Sequence, residues 1–222
     1  MSDKKISQLP ASSLPLTGTE ELPLVQGGVT KKATVQDVAN LAGSPYKVYT
    51  ALLTQGGGDG ISYIENFSTS GVQNIIKGVT YRIDVNSENV DFSSIGAPSN
   101  AEGTHFVATA NAVNTDFADS VWALEYNTGA PVVIVLENTI GNIWWTYDSV
   151  GTYRANSSSS FTTDKKFLIH KDFDWLNSAF VQSSFNSVND VIITSYDATT
   201  IPSPVNFDGV LYSFPIEIRV YN

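Results

Sequence analysis

At 222 residues, with only 15% charged side chains and a formal charge of −10 at pH 7, the chain is long enough for one large domain or two small ones, and its acidity opposes a phosphate backbone, so no nucleic-acid partner is expected. It has no cysteine, which removes disulfides, thiol catalysis and thiolate-held zinc, and His105 and His170 stand too far apart in sequence to suggest a histidine-rich metal site. No apolar run approaches the ~20 residues of a membrane helix and no apolar signal core follows Met1-Ser2-Asp3-Lys4-Lys5, so the expectation is a chain made and kept in the cytosol unless a particle or lysis carries it out, with no membrane insertion.

Residues 1–45 differ from the rest. Leu9-Pro10, Leu14-Pro15 and Leu22-Pro23 each fix a φ angle, remove a donor and push the preceding residue to extended geometry. The segment therefore reads as extended chain with little core of its own. A hairpin is expected with arms Glu21–Val25 and Val29–Ala33 around Gln26-Gly27-Gly28. Thr34-Val35-Gln36-Asp37 then has the form of a capping box with Asp in place of Glu. Val35, Val38, Ala39, Leu41 and Ala42 follow at near-helical spacing, Gly43 suits the C-terminal cap and Pro45 blocks continuation. The spacing predicts one short helix over 35–42. It is too short to be stable alone.

From Tyr46 onward the pattern turns to period two and to β-formers. Strands are expected at Lys47–Thr54, Ser62–Phe67, Thr80–Val85, Thr104–Ala110, Val121–Tyr126 and Val132–Glu137. Further strands are expected at Ile143–Tyr147, Lys166–His170, Ala179–Phe185, Val191–Tyr196 and Ile216–Tyr221. Turn signals separate them, among them Gly56-Gly57-Gly58-Asp59-Gly60, Gly141-Asn142, Ser157–Ser160, Pro202-Ser203-Pro204 and Asp208-Gly209. Many short strands at this spacing predict a mainly β chain, antiparallel, with a sandwich or jelly-roll-like domain. There is no obvious internal repeat, and no heptad array that would encode a long coiled coil.

The N-terminal residues carry a recognisable pattern. Lys5-Ile6-Ser7-Gln8-Leu9-Pro10 is followed by Leu16-Thr17-Gly18-Thr19-Glu20-Glu21-Leu22-Pro23-Leu24-Val25-Gln26-Gly27-Gly28, then by Thr30 to Val38. This stretch resembles a module at the N-terminus of tailed-bacteriophage fibre and other virion proteins. Two further segments look like phage structural proteins. One runs from Gly78-Val79-Thr80-Tyr81-Arg82-Ile83 through Asp91-Phe92-Ser93-Ser94-Ile95-Gly96-Ala97 to Gly103-Thr104-His105-Phe106. The other is Tyr46–Gln55, which in similar chains runs on directly to a segment like Ala130–Asn138, with Ile216–Tyr221 closing the same resemblance. The resemblance thus implies an anchor segment at 1–45, a β-sandwich domain from 46–57 plus 127–222, and a candidate inserted β subdomain at 58–126. It also implies a structural fibre or spike subunit, on tail or head, that works as a homo-oligomer with the trimer as the family's usual state. Its partners would be copies of itself and other virion proteins, the latter met through the N-terminal segment.

An extended chain with regularly placed leucines can lie across a neighbour and add a strand to its edge. Leu9, Leu14, Leu16, Leu22, Leu24 and Val25, with Val35, Val38 and Leu41 of the helix, are the candidate anchor and assembly contacts. Ordering them costs about 1–2 kcal/mol of backbone entropy per residue, which only burial against another surface can offset. The adjacent Trp144 and Trp145 point to opposite faces of a strand: one is core, and the other is a candidate subunit contact or sugar-stacking platform. Trp175 follows the loop-like Asp172-Phe173-Asp174 and is the third candidate glycan or subunit contact. Host-surface polysaccharide is accordingly a further candidate partner.

No enzyme is expected. Glycoside hydrolysis needs two carboxylates at a defined separation, and Asp84, Glu88, Asp91, Asp116, Asp119, Asp172 and Asp174 are scattered with no spacing that selects a pair. The nucleophile-elbow and phosphate-loop motifs are absent. Gly56–Gly60 lacks the lysine such a loop requires and reads as a linker or hairpin loop. His105 reads as a structural histidine inside a strand, and His170 as a surface one. No catalytic residue, metal ligand or cofactor is expected.

Overall fold

The computed structural model describes residues 19–43, 45–67, 71–117, 120–158, 160–161, 165–170, 173–174, 179–197, 199 and 205–221. The chain divides into two units, Met1–Pro45 and Tyr46–Asn222. In the first, β1 (Glu21–Gln26) and β2 (Val29–Thr34) pair antiparallel, with Glu21 opposite Thr34 and Gln26 opposite Val29. The turn is only Gly27-Gly28, at φ of +61° and +77°. That backbone is accessible to glycine at little cost and suits the tight turn that twists with its strands. Gln26, expected in the turn, is thus the last residue of β1.

Helix α1 (Val35–Ala42) follows without a break. Its capping box is reciprocal. The Asp37 amide donates to Thr34 Oγ1 at 3.0 Å, and the Thr34 amide donates to Asp37 Oδ2 at 2.9 Å. These bonds from the Thr34 backbone and hydroxyl hold the Asp37 carboxyl below the usual aspartate range. Asp therefore serves where the motif usually has Glu.

The second unit runs β3 (Tyr46–Thr54), β4 (Ile61–Glu65), β5 (Asn74–Ile75), β6 (Thr80–Asn86), β7 (His105–Val107), β8 (Ala112–Val113) and β9 (Trp122–Asn127). It continues with β10 (Val132–Asn138), β11 (Ile143–Ser149), β12 (Thr152–Ser157), β13 (Lys166–His170) and β14 (Phe173–Asp174). It ends with β15 (Ala179–Phe185), β16 (Asp190–Asp197), β17 (Val205–Asn206) and β18 (Phe214–Tyr221). The described strands pair antiparallel throughout, so the chain is mainly β with one helix, as expected.

Two sheets make a sandwich. One has the order β10-β3-β18-β13, the other β11-β12-β16-β15-β14 with β17 against the end of β16. Period-two alternation sends Phe214, Ile216, Ile218 and Val220 inward from β18, and Tyr49, Ala51 and Leu53 inward from β3. They meet Trp145, Tyr153, Val191 and Ile193 of the other sheet in one core. Each fully buried Val, Leu, Ile or Phe among them contributes about 1.5–3 kcal/mol.

Strands β4 to β9 form a smaller lobe, with sheets β4-β9-β6-β7 and β5-β8. Its core of Ile64, Tyr81, Ile83, Phe92, Phe106, Trp122 and Leu124 shares no buried residue with the sandwich core. The chain enters and leaves this lobe at one place. The Thr128 amide donates to the Gly60 carbonyl at 2.8 Å and its hydroxyl to that of Gly58 at 2.9 Å. A Cβ on Gly57 would come within 2.4 Å of the Thr128 carbonyl oxygen, so the glycine run is a close-packed neck rather than a free linker.

Three expectations need correction. Strand β12 was not anticipated, because its inward residues are Tyr153, Ala155 and Ser157, two of which give almost no hydrophobic signal. The strand expected at Thr104–Ala110 closes after Val107, because the Ala108 amide bonds Val79 O and the Thr109 amide turns to Ile95 O. Phe173-Asp174, expected in a loop, pairs with Ala179-Phe180. Among the described residues no helix is long and apolar enough to cross a membrane.

Candidate functional site

The hairpin and helix of the first unit have ordered backbone hydrogen bonds but no interior. None of the described side chains from Thr19 to Pro45 is buried. Leu22, Val25, Val29 and Val38 are exposed, Val25 at 72%, while Leu24 and Val35 are half-buried. Strand register puts Leu22, Leu24, Val29 and Ala33 on one face of the hairpin and Val25 on the other. Of the candidate anchors on the hairpin, Leu22 and Leu24 thus share one face, which also carries Gln26 and Lys31, and Val25 is turned away from it. The Lys32–Glu21 ion pair of this unit, at 2.7 Å, joins side chains that are 76% and 57% exposed, a setting in which such pairs stabilise little. A two-stranded hairpin and an eight-residue helix are each marginal alone. Leu9, Leu14 and Leu16 lie outside the described residues, as does the side chain of Leu41.

The paired tryptophans separate as alternation requires. Trp145 is fully buried, and its indole N–H donates to the Tyr49 hydroxyl at 3.1 Å. It is therefore a core residue and not a glycan or subunit contact. Trp144 is half-buried and stacks on His105, ring centroids 5.4 Å apart and planes 16° from parallel. One of its ring faces is thus taken within the chain, at the seam between sandwich and lobe. Around it the Asn142 side chain donates to His105 O at 2.8 Å and the Trp145 amide donates to Thr80 Oγ1 at 3.1 Å. Burial first, and the nearby Arg82 guanidinium second, push the His105 imidazole below its ordinary value. His105 is a structural residue of this seam. His170 is half-buried, with Nε2 2.9 Å from the Ser183 hydroxyl, and so is less exposed than the sequence suggests. Trp175 lies outside the described residues.

Three of the four candidate carboxylates whose side chains are described are held by local structural partners. Asp84 pairs with Arg82 at 2.9 Å, Asp91 accepts from the Ser93 amide at 2.9 Å, and Asp116 accepts from the Val113 amide at 2.8 Å. Glu88 is exposed in a turn. Asp119, Asp172 and the side chain of Asp174 lie outside what is described. Two acids that sequence reasoning passed over are better placed. Asp208 accepts from the Tyr147 hydroxyl at 2.8 Å, the Tyr153 hydroxyl at 3.0 Å and the Gly151 amide at 2.6 Å. Asp190 binds Arg154, Asn186 and Ser187. Burial raises the Asp190 carboxyl, but the bonds from Ser187, Asn186 and Arg154 outweigh it and hold it below the usual range. Both knit loops to strands. Among the described residues no cluster of three or more His, Asp or Glu could hold a metal ion.

A cleft of about 430 Å3 runs between β10 and the lobe, lined by Val107, Ala108, Val133, Val135, Asn138 and Asn142. At its end the Val133 amide donates to Gly78 O at 2.8 Å, so the lobe occupies part of the open side of β10. The outer face of the β10-β3-β18-β13 sheet is the other broad surface that sequence reasoning missed. It exposes Ile134, Phe167 and Ile169. The available signal was the unbroken apolar run Val132–Leu136, in which both faces of a strand are apolar. No family model, curated protein or solved structure matches this chain.

Proposed function

We propose that the chain is a structural subunit of a bacteriophage particle, a fibre or spike protein that assembles as a homo-oligomer and is held to the virion through its first unit. The observation that carries this reading is a unit with defined hairpin, helix and caps but no buried side chain among those described. Such a unit has local instructions for its shape and too little burial to offset the entropy of holding it. A surface supplied by sister chains or by an acceptor protein makes up the difference. The resemblance of residues 5–38 to a virion module points the same way. Three copies is the number that resemblance implies. The role is assembly, without turnover.

Leu22→Asp together with Val29→Asp in the full chain tests this. Both residues lie on the same exposed hairpin face, and neither belongs to a core. The expected result is at least a tenfold drop in the amount of chain recovered in purified particles, with an unchanged β spectrum. Deleting residues 1–45 should have the same effect. Normal incorporation of either variant would overturn the anchor.

A further inference from the structure

The outer face of the β10-β3-β18-β13 sheet carries a large apolar share for a face open to water, beside the polar Thr50, Thr54, Glu137, Glu217 and Arg219. Ile134, Leu52 and Pro215 lie side by side across three strands, because Leu52 pairs with both of the others. At the far edge Phe167 stands opposite Arg219, and Ile169 opposite Glu217. Ile134 is 55% exposed, Phe167 52% and Ile169 41%. In a strand with one face to water, alternate residues are polar. Val132-Val133-Ile134-Val135-Leu136 instead reads as a strand covered on both sides, yet only Val133 of the five is buried.

Charge narrows the choice of cover. The four acidic and four basic residues of residues 1–45 cancel, so the whole formal charge of −10 falls on residues 46–222. Two such bodies repel except where charge is locally balanced. On this face Glu217 is ion-paired with Arg219. The Arg219 guanidinium also lies over the Tyr46 ring at 4.7 Å, and Tyr46 packs against Tyr221 at 5.3 Å. The polar part of the face is thus neutralised and held flat. A second acid, Glu137, sits at the β10 margin. Four strands about 4.8 Å apart and seven or so residues long present on the order of 500 Å2. Two such faces together bury on the order of 1,000 Å2, the lower bound of a specific interface.

We propose that this face packs against the same face of sister copies of the chain around the oligomer's symmetry axis, sheet on sheet, with Leu52 and Pro215 at its middle, Ile134 on one edge strand and Phe167 on the other. The proposal rests on the homo-oligomer reading above and gives that oligomer its contact surface. A copy brings an equally apolar face on which Arg219 offsets Glu217, whereas the acidic body as a whole carries a formal charge of −10.

Sedimentation of the full-length protein over a concentration series, beside Ile134→Lys/Phe167→Lys, tests it. The expected result is an oligomeric parent and a variant at least tenfold weaker in association, with the same β spectrum. An oligomeric parent and an equally oligomeric variant would remove this face and leave the homo-oligomer standing. A monomeric parent at all concentrations would remove both and assign the face to a different protein. Because the chain has no cysteine, Ile134→Cys supplies a single thiol should the lysine variant fail to fold. Its alkylation should slow at least tenfold as copies assemble, while Val150→Cys, on an exposed turn at 53%, keeps its rate. Equal rates at both positions would overturn the proposal.

Discussion

Tyr49, Tyr81 and Tyr147 each carry a phenol whose ionisation the fold opposes. Burial comes first for all three, and each is pushed up to about 12. For Tyr147 the hydrogen bond to Asp208 adds to the effect, since a phenolate cannot donate to that carboxylate. Unfolded tyrosine loses its proton near pH ~10. Between pH 10 and about 12 the folded chain therefore holds protons that the unfolded chain releases, and stability must fall as pH rises through that window. The denaturant midpoint should accordingly be flat from about pH 8 to about pH 10 and drop steeply above it. Phenolate absorbance should rise in two stages, the exposed rings first and the buried ones only as the chain unfolds. A single stage near the ordinary tyrosine value, with no loss of stability, would mean that these hydroxyls are solvated.

At the scale of elements, the junction between β10 and the lobe turns on Gly78. Its φ is +89°, and a Cβ there would lie 2.5 Å from the Val133 carbonyl oxygen. Its amide donates to Ala108 O and its carbonyl accepts from the Val133 amide, both at 2.8 Å. Gly78→Ala therefore meets both a disfavoured backbone and an immovable neighbour, and should cost about 2–4 kcal/mol. Chemical denaturation measures it, and a change under about 0.5 kcal/mol, the size of an ordinary surface substitution, would show that the junction is loose. The elements differ in how plainly the sequence announces them. The hairpin, helix and cap of residues 21–42 were legible because they are local: glycines at the turn, Thr34 and Asp37 three apart, and a proline stop. Most long strands were legible from alternation. Strand β12 was not, since Ala155 and Ser157 fill its inward positions beneath larger side chains of the facing sheet. The seam residues were also hidden. His105 and Trp144 stand 39 positions apart, and nothing local says that they stack. The outer sheet face was half legible, as an apolar run whose second covered side the chain itself does not supply.

For the whole molecule, the decisive arrangement is two cores that share one polypeptide but no buried residue. The sandwich draws its core from residues 49–53 and 133–220, and the lobe from residues 64–124. Their contact is a seam of a few bonds: Val133 to Gly78, Trp145 to Thr80, Asn142 to His105, the Trp144 stack, and Val107 packed on the sandwich core. The neck makes excision feasible, since Gly57 and Gly129 flank the crossing at Thr128, where a Cβ on Gly129 would lie 3.1 Å from the Gly58 carbonyl carbon. Joining Gly57 to Gly129 through a short turn removes the lobe without cutting a sandwich strand. The shortened chain should unfold in one cooperative transition, because every buried member of its core is retained. It should be less stable by about 2–4 kcal/mol, for hydrogen bonds worth about 0.5–1.5 kcal/mol each are exchanged for water and Val107 no longer covers the sandwich edge. Near-ultraviolet dichroism should keep the signal of Trp145, which remains bonded to Tyr49, and lose that of Trp144, whose partner is gone. A broad, non-cooperative transition would show instead that the sandwich needs the lobe in order to fold, and that the neck joins two halves of one folding unit rather than tethering a separable one.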